Sequence, residues 1–183
     1  LLWRIALGGV LGVFYTIGPF HFKYHALGDV AVFIAFGSAM TLGAYMVQTG
    51  RFAWQPVLYA LPISFLVDAV LHSNNLRDIK NDLVVDIKTI PILIGEATAK
   101  KMYYALLFSA YALIPLLVGL AGLPWLTLLT FLSLPLALKL ITQVQHKADL
   151  PQNQFAMIDA ATAQLHGAFS LLLLLGLLGD WCL

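Results

Sequence analysis

Asn74, Asp78, Asp82 and Asp86 recur at every fourth position within the run from His72 to Thr89, which holds three of the chain's nine acids together with Arg77, Lys80 and Lys88. On a helix each such step turns a side chain by about 40° and carries it ~6 Å along one side. Asn74, Asp78 and Asp82 are therefore expected to share a face, and Asp86 to drift off it. Two carboxylates one turn apart repel, and beside hydrocarbon the penalty for keeping both ionised grows. A cation is expected between them. Mg²⁺ suits that place, because it takes oxygen ligands and commonly shares one or two carboxylates with substrate phosphates. Asp78 and Asp82 are then the expected metal ligands and Asn74 a neutral oxygen ligand. Arg77, Lys80 and Lys88 are the expected contacts for phosphate oxygens beyond the metal's reach, with Asn75 beside them. Arg77 has the weakest claim, since its position lies about 100° around the helix from Asp78. The plainer alternative is a solvated helix laced with local ion pairs. Against it, apolar spans flank the run on both sides, and ionisable groups at membrane depth point to function by default.

The elements that must position these residues follow from composition. The chain has 183 residues, 61% hydrophobic and 10% charged, with a mean hydropathy of +0.88; a soluble domain has about a quarter of its residues charged. It reads as an all-α integral membrane protein, one multi-spanning bundle over residues 1–183 in the lipid bilayer. A net charge of +1 and the lack of a basic, aromatic-interleaved cluster argue against nucleic acid. The single Cys182 excludes an intrachain disulfide and a cysteine-rich metal site. Residues 1–18 are apolar but have neither a basic leading region nor a small-residue cleavage site, so they do not read as a signal peptide. The absence of an initial Met reads as a truncated or processed start.

Six apolar segments are expected to span, at about 1–18, 28–48, 54–72, 102–121, 125–143 and 161–182, each near the ~20 residues that crossing requires. Pro62, Pro115 and Pro135 fall inside spans, where kinks are expected. Gly37, Ser38, Ala39, Gly43 and Ala44 would let helices approach closely. If the spans alternate, Lys23, Arg77, Lys80, Lys88, Lys100, Lys101 and Lys147 lie in the connections on one side, against Arg51 and Arg4 on the other. The positive-inside bias puts the acidic connection in the cytosol. Trp3, Trp54, Trp125 and Trp181 fall near span ends, as an aromatic belt would.

The chemistry that such a site suits is loss of diphosphate from an allylic carbon. Metal and basic groups take up the developing negative charge, and the membrane shields a carbocation-like prenyl group from water. Asp68, an acid inside the third span, is expected to hold a basic neighbour or orient an aromatic acceptor. Tyr45 and Gln48 on the second span are candidates for the acceptor pocket, and Lys23, with Tyr24 and His25, for a cap over the site. His72, His146 and His166 have no i, i+4 pairing that would favour haem ligation; His72 is expected at a helix end near the site.

The run Asn74-Asn75-Leu76-Arg77-Asp78, followed by Asp82 and Thr89, resembles the second aspartate-rich motif of the UbiA superfamily of intramembrane prenyltransferases. Its Asn-Asn-x-Arg-Asp-x-x-x-Asp form is similar to the branch that prenylates 1,4-dihydroxy-2-naphthoate for menaquinone, including the animal vitamin K enzymes. Tyr15-Thr16 with Gly18, Phe22-Lys23-Tyr24, Ala26-Leu27-Gly28-Asp29, Phe36-Gly37 and Gln48 also resemble that branch. His72-Ser73 and Ile92-Leu93-Ile94-Gly95 are similar to the animal type. Leu83 and Val84 depart from the polar residues usual after the second aspartate; Asp86 replaces a small residue, and Lys88 is shifted.

The resemblance implies Mg²⁺-dependent transfer of a prenyl group from a polyprenyl diphosphate to an aromatic quinone precursor, with 1,4-dihydroxy-2-naphthoate as acceptor and loss of its carboxylate. Other acceptors, such as 4-hydroxybenzoate, homogentisate or haem, remain open, as does a membrane scaffold that only binds prenyl diphosphate. It also implies a roughly nine-helix fold and a further Asn/Asp-x-x-x-Asp motif that has no counterpart here, so the chain is expected to be N-terminally incomplete. The expected location is the bacterial inner membrane, with an endomembrane as the alternative.

Overall fold

The computed structural model describes residues 28–151 and 155–181. The fold is an all-α bundle. In chain order it comprises α1 (Gly28–Thr49), α2 (Gln55–Val84), the short α3 (Ile90–Ile94), α4 (Glu96–Ala121), α5 (Trp125–Gln145) and α6 (Ile158–Trp181). Five of these, all but α3, are long and apolar enough to cross a membrane. They match the second to sixth expected spans. The first, at 1–18, lies outside the described residues, as do Lys23, Tyr24 and His25.

One expectation is corrected at α2. A span over 54–72 followed by a polar connection is replaced by a single helix of 30 residues. From Ile63 to Val84 there is neither Gly nor Pro to stop it, so the polar run continues the helix instead of forming a loop. At 1.5 Å per residue, α2 is ~45 Å long against a hydrocarbon core of ~30 Å. The motif therefore rides on turns that can reach beyond the apolar layer. The helix closes at Asp86, whose φ of 54° lies in the left-handed region. Aspartate tolerates that region better than most side chains, and the Ile87 N–H donates back to the Asp82 carbonyl at 3.0 Å. Likewise α4 begins at Glu96, earlier than the expected residue 102.

Helix α2 is central, packing against α1, α4 and α6. Leu66, Ala69 and Leu76 of α2 join Tyr103, Leu107 and Ile114 of α4 and Leu165 and Phe169 of α6 in the core. Two buried tyrosines are paired inside: the Tyr103 hydroxyl lies 2.8 Å from Thr162 Oγ1 and the Tyr111 hydroxyl 2.7 Å from Ser133 Oγ. Against α2, α1 widens into a π-helical stretch, Phe33–Ala39. There Gly37 is required: a Cβ on it would lie 1.8 Å from Ser64 Oγ. The close approach expected of the small residues on α1 is realised at this point.

The first nine residues of α5, Trp125–Ser133, form a 3₁₀ helix. Its three-residue repeat stacks Thr127, Thr130 and Ser133 on one face, all buried. Each hydroxyl donates to the carbonyl three residues back, at 2.6, 2.8 and 2.6 Å respectively. Pro135, expected to kink a span, instead opens the α-helical part at Leu134–Gln145, where a missing N–H forfeits nothing. Pro62 and Pro115 do lie inside helices, in α2 and α4.

Candidate functional site

The N-terminal ends of α1, α4 and α6 and the C-terminal ends of α2 and α5 meet at one end of the bundle. Side chains stitch them there. Arg77, on α2, lies at the centre. Its Nε donates to Asp78 Oδ1 at 2.9 Å and its Nη2 to Asp78 Oδ2 at 2.7 Å and to Asn74 Oδ1. Its Nη1 reaches Asp159 Oδ2 on α6 at 2.6 Å and the Ala156 carbonyl at 3.3 Å. Five oxygen contacts match the five N–H groups of a guanidinium.

This corrects the expectation for Arg77. Its Cα–Cβ direction does differ from that of Asp78, but the long side chain folds back and grips the neighbouring carboxylate through Nε and Nη2. Its donors are committed to protein oxygens, so contact with a phosphate would require giving some of them up. Asn74 and Asp78 do share a face, and their oxygens converge on one cationic group. Asp82 is half-buried one turn further on and is engaged by other groups of the protein.

The remaining sequence-expected residues divide. Asn75 Nδ2 donates to Asp29 Oδ1 at 3.0 Å, so its amide serves to join α1 to α2. His72 is fully buried in mid-helix and does not end one. Its Nδ1 lies 2.8 Å from Asp29 Oδ2 and its Nε2 3.0 Å from the Ala99 carbonyl. A carbonyl only accepts, so Nε2 carries a proton, and a second proton lies between Nδ1 and Asp29. This buried pair ties α1, α2 and α4 together beneath the motif.

Lys80 is exposed, two positions from Asp78 and so about 200° around α2. It is not brought to the Asn74–Asp78 face. Lys88 is exposed in the connection after α2. Asp68 is buried, and its Oδ1 has no hydrogen-bond partner among the described residues. Tyr45 and Gln48 do not belong with the motif. Because α1 and α2 run antiparallel, with Asp29 at His72 and Gly37 at Ser64, Tyr45 lies level with the start of α2, roughly 30 Å from Asp78 along the axis.

Sequence reasoning missed Asp159, Glu96 and Asp29 as partners here. Lys147 is a fourth omission: its Nζ donates to the Leu76 carbonyl at 3.0 Å and pairs with Glu96 at 3.2 Å. An acid in the first turn of a spanning helix was the available signal for Asp159. Which cation it meets depends on helix packing that spacing along the chain does not encode.

The donor set bears on the metal. Among the described residues no group of three or more His, Cys, Asp or Glu is placed to hold an ion. Asn74 and Asp78, with Asp82 a turn away, offer hard oxygen donors that already converge on a cation. That is too few for an all-protein cage but suits an ion that keeps waters and takes phosphate oxygens for the rest of its shell, as Mg²⁺ does.

A model of the UbiA prenyltransferase family matches residues 1–163. The chain belongs to this family. Among its relatives, the UbiA prenyltransferase domain-containing protein 1 of Mus musculus is 34% identical over 174 residues, covering 95% of this chain and 49% of that protein. The human protein of the same name is 34% identical over 179 residues, again 95% and 49%. The Drosophila melanogaster homolog is 36% identical over 168 residues, 92% of this chain and 45% of its own length. The chain spans about half the length of the curated relatives it matches. Their names specify no acceptor, and all three are animal proteins, so they lend nothing to the bacterial inner membrane expected above.

Proposed function

We propose that the chain carries one half of the diphosphate site of an intramembrane prenyltransferase of the UbiA family and functions as one domain. The reaction is Mg²⁺-dependent transfer of a prenyl group from a polyprenyl diphosphate to an aromatic acceptor. The observation that carries this reading is the convergence of the Asn74 and Asp78 oxygens on a single cation at one end of the bundle. Asn74, Asp78 and Asp82 would hold the metal, which when bound would offset the charge developing on the departing diphosphate. Lys88, exposed past the end of α2, is the cation best free to follow outer phosphate oxygens. Asp68, with a buried oxygen that no described residue hydrogen-bonds, is read as the residue that orients a hydroxyl of the acceptor. The apolar helices keep water from the prenyl carbon as it loses its leaving group.

For the acceptor we favour 1,4-dihydroxy-2-naphthoate, on the Asn-Asn-x-Arg-Asp-x-x-x-Asp form of the motif. Other quinone precursors are the second reading. The motif end is assigned to the cytosolic face, supported by the lysines gathered there, Lys100 and Lys147 on Glu96, and the animal relatives favour an endomembrane. The test is incubation of purified full-length protein with Mg²⁺, a prenyl diphosphate and each candidate aromatic in turn, with products identified by mass. A prenylated naphthoquinone precursor is expected. Prenylation of 4-hydroxybenzoate or homogentisate alone would overturn the acceptor, and no prenylated product from any acceptor would overturn the reaction.

A further inference from the structure

The five-fold grip of Arg77 poses a problem for the site just described, because the atoms assigned to a metal are the atoms this guanidinium holds. Both Asp78 oxygens and Asn74 Oδ1 accept from Nε and Nη2, whereas Nη1 alone is turned to α6, 2.6 Å from Asp159 Oδ2 and 3.3 Å from the Ala156 carbonyl. The two halves of the fork thus have separate anionic partners on separate helices. We infer that Arg77 is the resident counter-ion of the motif, and that Asp159 is a positioning residue which retains Arg77 when a divalent cation takes Asp78 and Asn74.

The physical argument is one of uncompensated charge. A cation arriving at Asp78 displaces Arg77, and a guanidinium left without an acid at a largely buried site is costly. Asp159 removes much of that cost, since Arg77 keeps one carboxylate throughout and only its Nε and Nη2 contacts are exchanged. Side-chain exposures of 25%, 27% and 29% for Arg77, Asp78 and Asp159 leave room for such an exchange, in contrast to the sealed Asp29–His72 pair at 3% and 0%. The arrangement also couples the metal to α6 and to the connection before it, because Arg77 is held there by both Asp159 and Ala156. Among the described residues the cation paired with Asp159 is Arg77, so its effect on the motif is expected to pass through Arg77.

This rests on the metal reading of Asp78 proposed above, and the experiment separates the two. Full-length protein in detergent is titrated with Mg²⁺ at a fixed concentration of inorganic diphosphate, without prenyl donor or acceptor, and the half-saturating concentration is read from thermal stabilisation, or from Mn²⁺ magnetic resonance with Mn²⁺ as the probe. If the wild type shows no saturable binding, or if Asp78→Asn leaves it unchanged, the metal reading itself fails. Where binding depends on Asp78, Asp159→Asn is expected to raise the half-saturating concentration on the order of tenfold, a coupling typical of residues in one ionic network. In an Arg77→Gln background the same change at Asp159 is expected to shift it less than about twofold. Arg77→Lys, which keeps the charge but lacks a fork able to bridge both acids, serves as a second background should Arg77→Gln not fold, and is expected to blunt the shift in the same way. An equal shift with and without Arg77, or no shift in the wild-type background, would overturn the role of Asp159. A merely structural clamp would lower the melting temperature of metal-free Asp159→Asn without moving the half-saturation point.

Discussion

At Asn74 and Asp78 the shared face was legible from spacing alone, since a four-residue step on any helix puts two side chains on one face. Arg77 was misjudged for a related reason. Angular position fixes where a Cβ starts, not where a long flexible side chain ends, and an arginine next to an acid has the reach to turn back onto it. His72 was placed at a helix end because polar residues follow it; its partners, Asp29 and the Ala99 carbonyl, lie far off in sequence. That pair carries the heaviest energetic consequence at this scale. His72→Leu leaves the Asp29 carboxylate buried at 2% exposure with Asn75 as its remaining donor among the described residues. A loss of about 3–5 kcal/mol is expected, as for breaking a buried ion pair from one side. Adding Asp29→Leu is expected to recover part of it. Thermal unfolding of the single and double variants in detergent checks this, and a double variant less stable than His72→Leu would contradict it.

The spanning helices were legible in number and order over the described residues, and less so in their ends; the short α3 was not foreseen. An apolar-to-polar change at residue 72 reads as a helix boundary only if composition decides where helices stop. In α2 it does not, because the backbone finds no breaker before Asp86. The 3₁₀ start of α5 had no sequence signal that was used, although Thr127, Thr130 and Ser133 at three-residue spacing are its stripe. Close approach was legible at Gly37 because only small residues admit a neighbouring backbone. A paired substitution tests it. Gly37→Ala drives a Cβ into Ser64 and is expected to cost about 1–3 kcal/mol, the usual range for overpacking. Gly43→Ala on the same helix, with nothing within 4 Å of its Cβ, is expected to be nearly silent. Equal melting temperatures for the two variants would mean that α1 does not pack on α2 as described.

For the molecule as a whole, strict alternation of spans was enough to bring the motif, the start of α4 and the connection from α5 to α6 to one end, as Lys147 on the Leu76 carbonyl and Arg77 on Asp159 record. Tyr45 and Gln48 fall at the other end by the same alternation, which is why they do not join the site. Sidedness can be read directly. In a Cys182→Ser background, Lys80→Cys is expected to react with a membrane-impermeant thiol reagent applied from the cytosolic face only, and Gly50→Cys from the opposite face only. Labelling of both from the same side would contradict the antiparallel arrangement of α1 and α2.

The central claim is that oxygen atoms of the α2 motif support departure of diphosphate. The most direct measurement is single-turnover release of diphosphate from a prenyl diphosphate by full-length protein carrying Asp78→Ala or Asp82→Ala. Asp78→Ala leaves Arg77 its contact with Asp159, so a folded protein with turnover reduced to background is expected for both variants. Release at the wild-type rate by either folded variant would contradict the account.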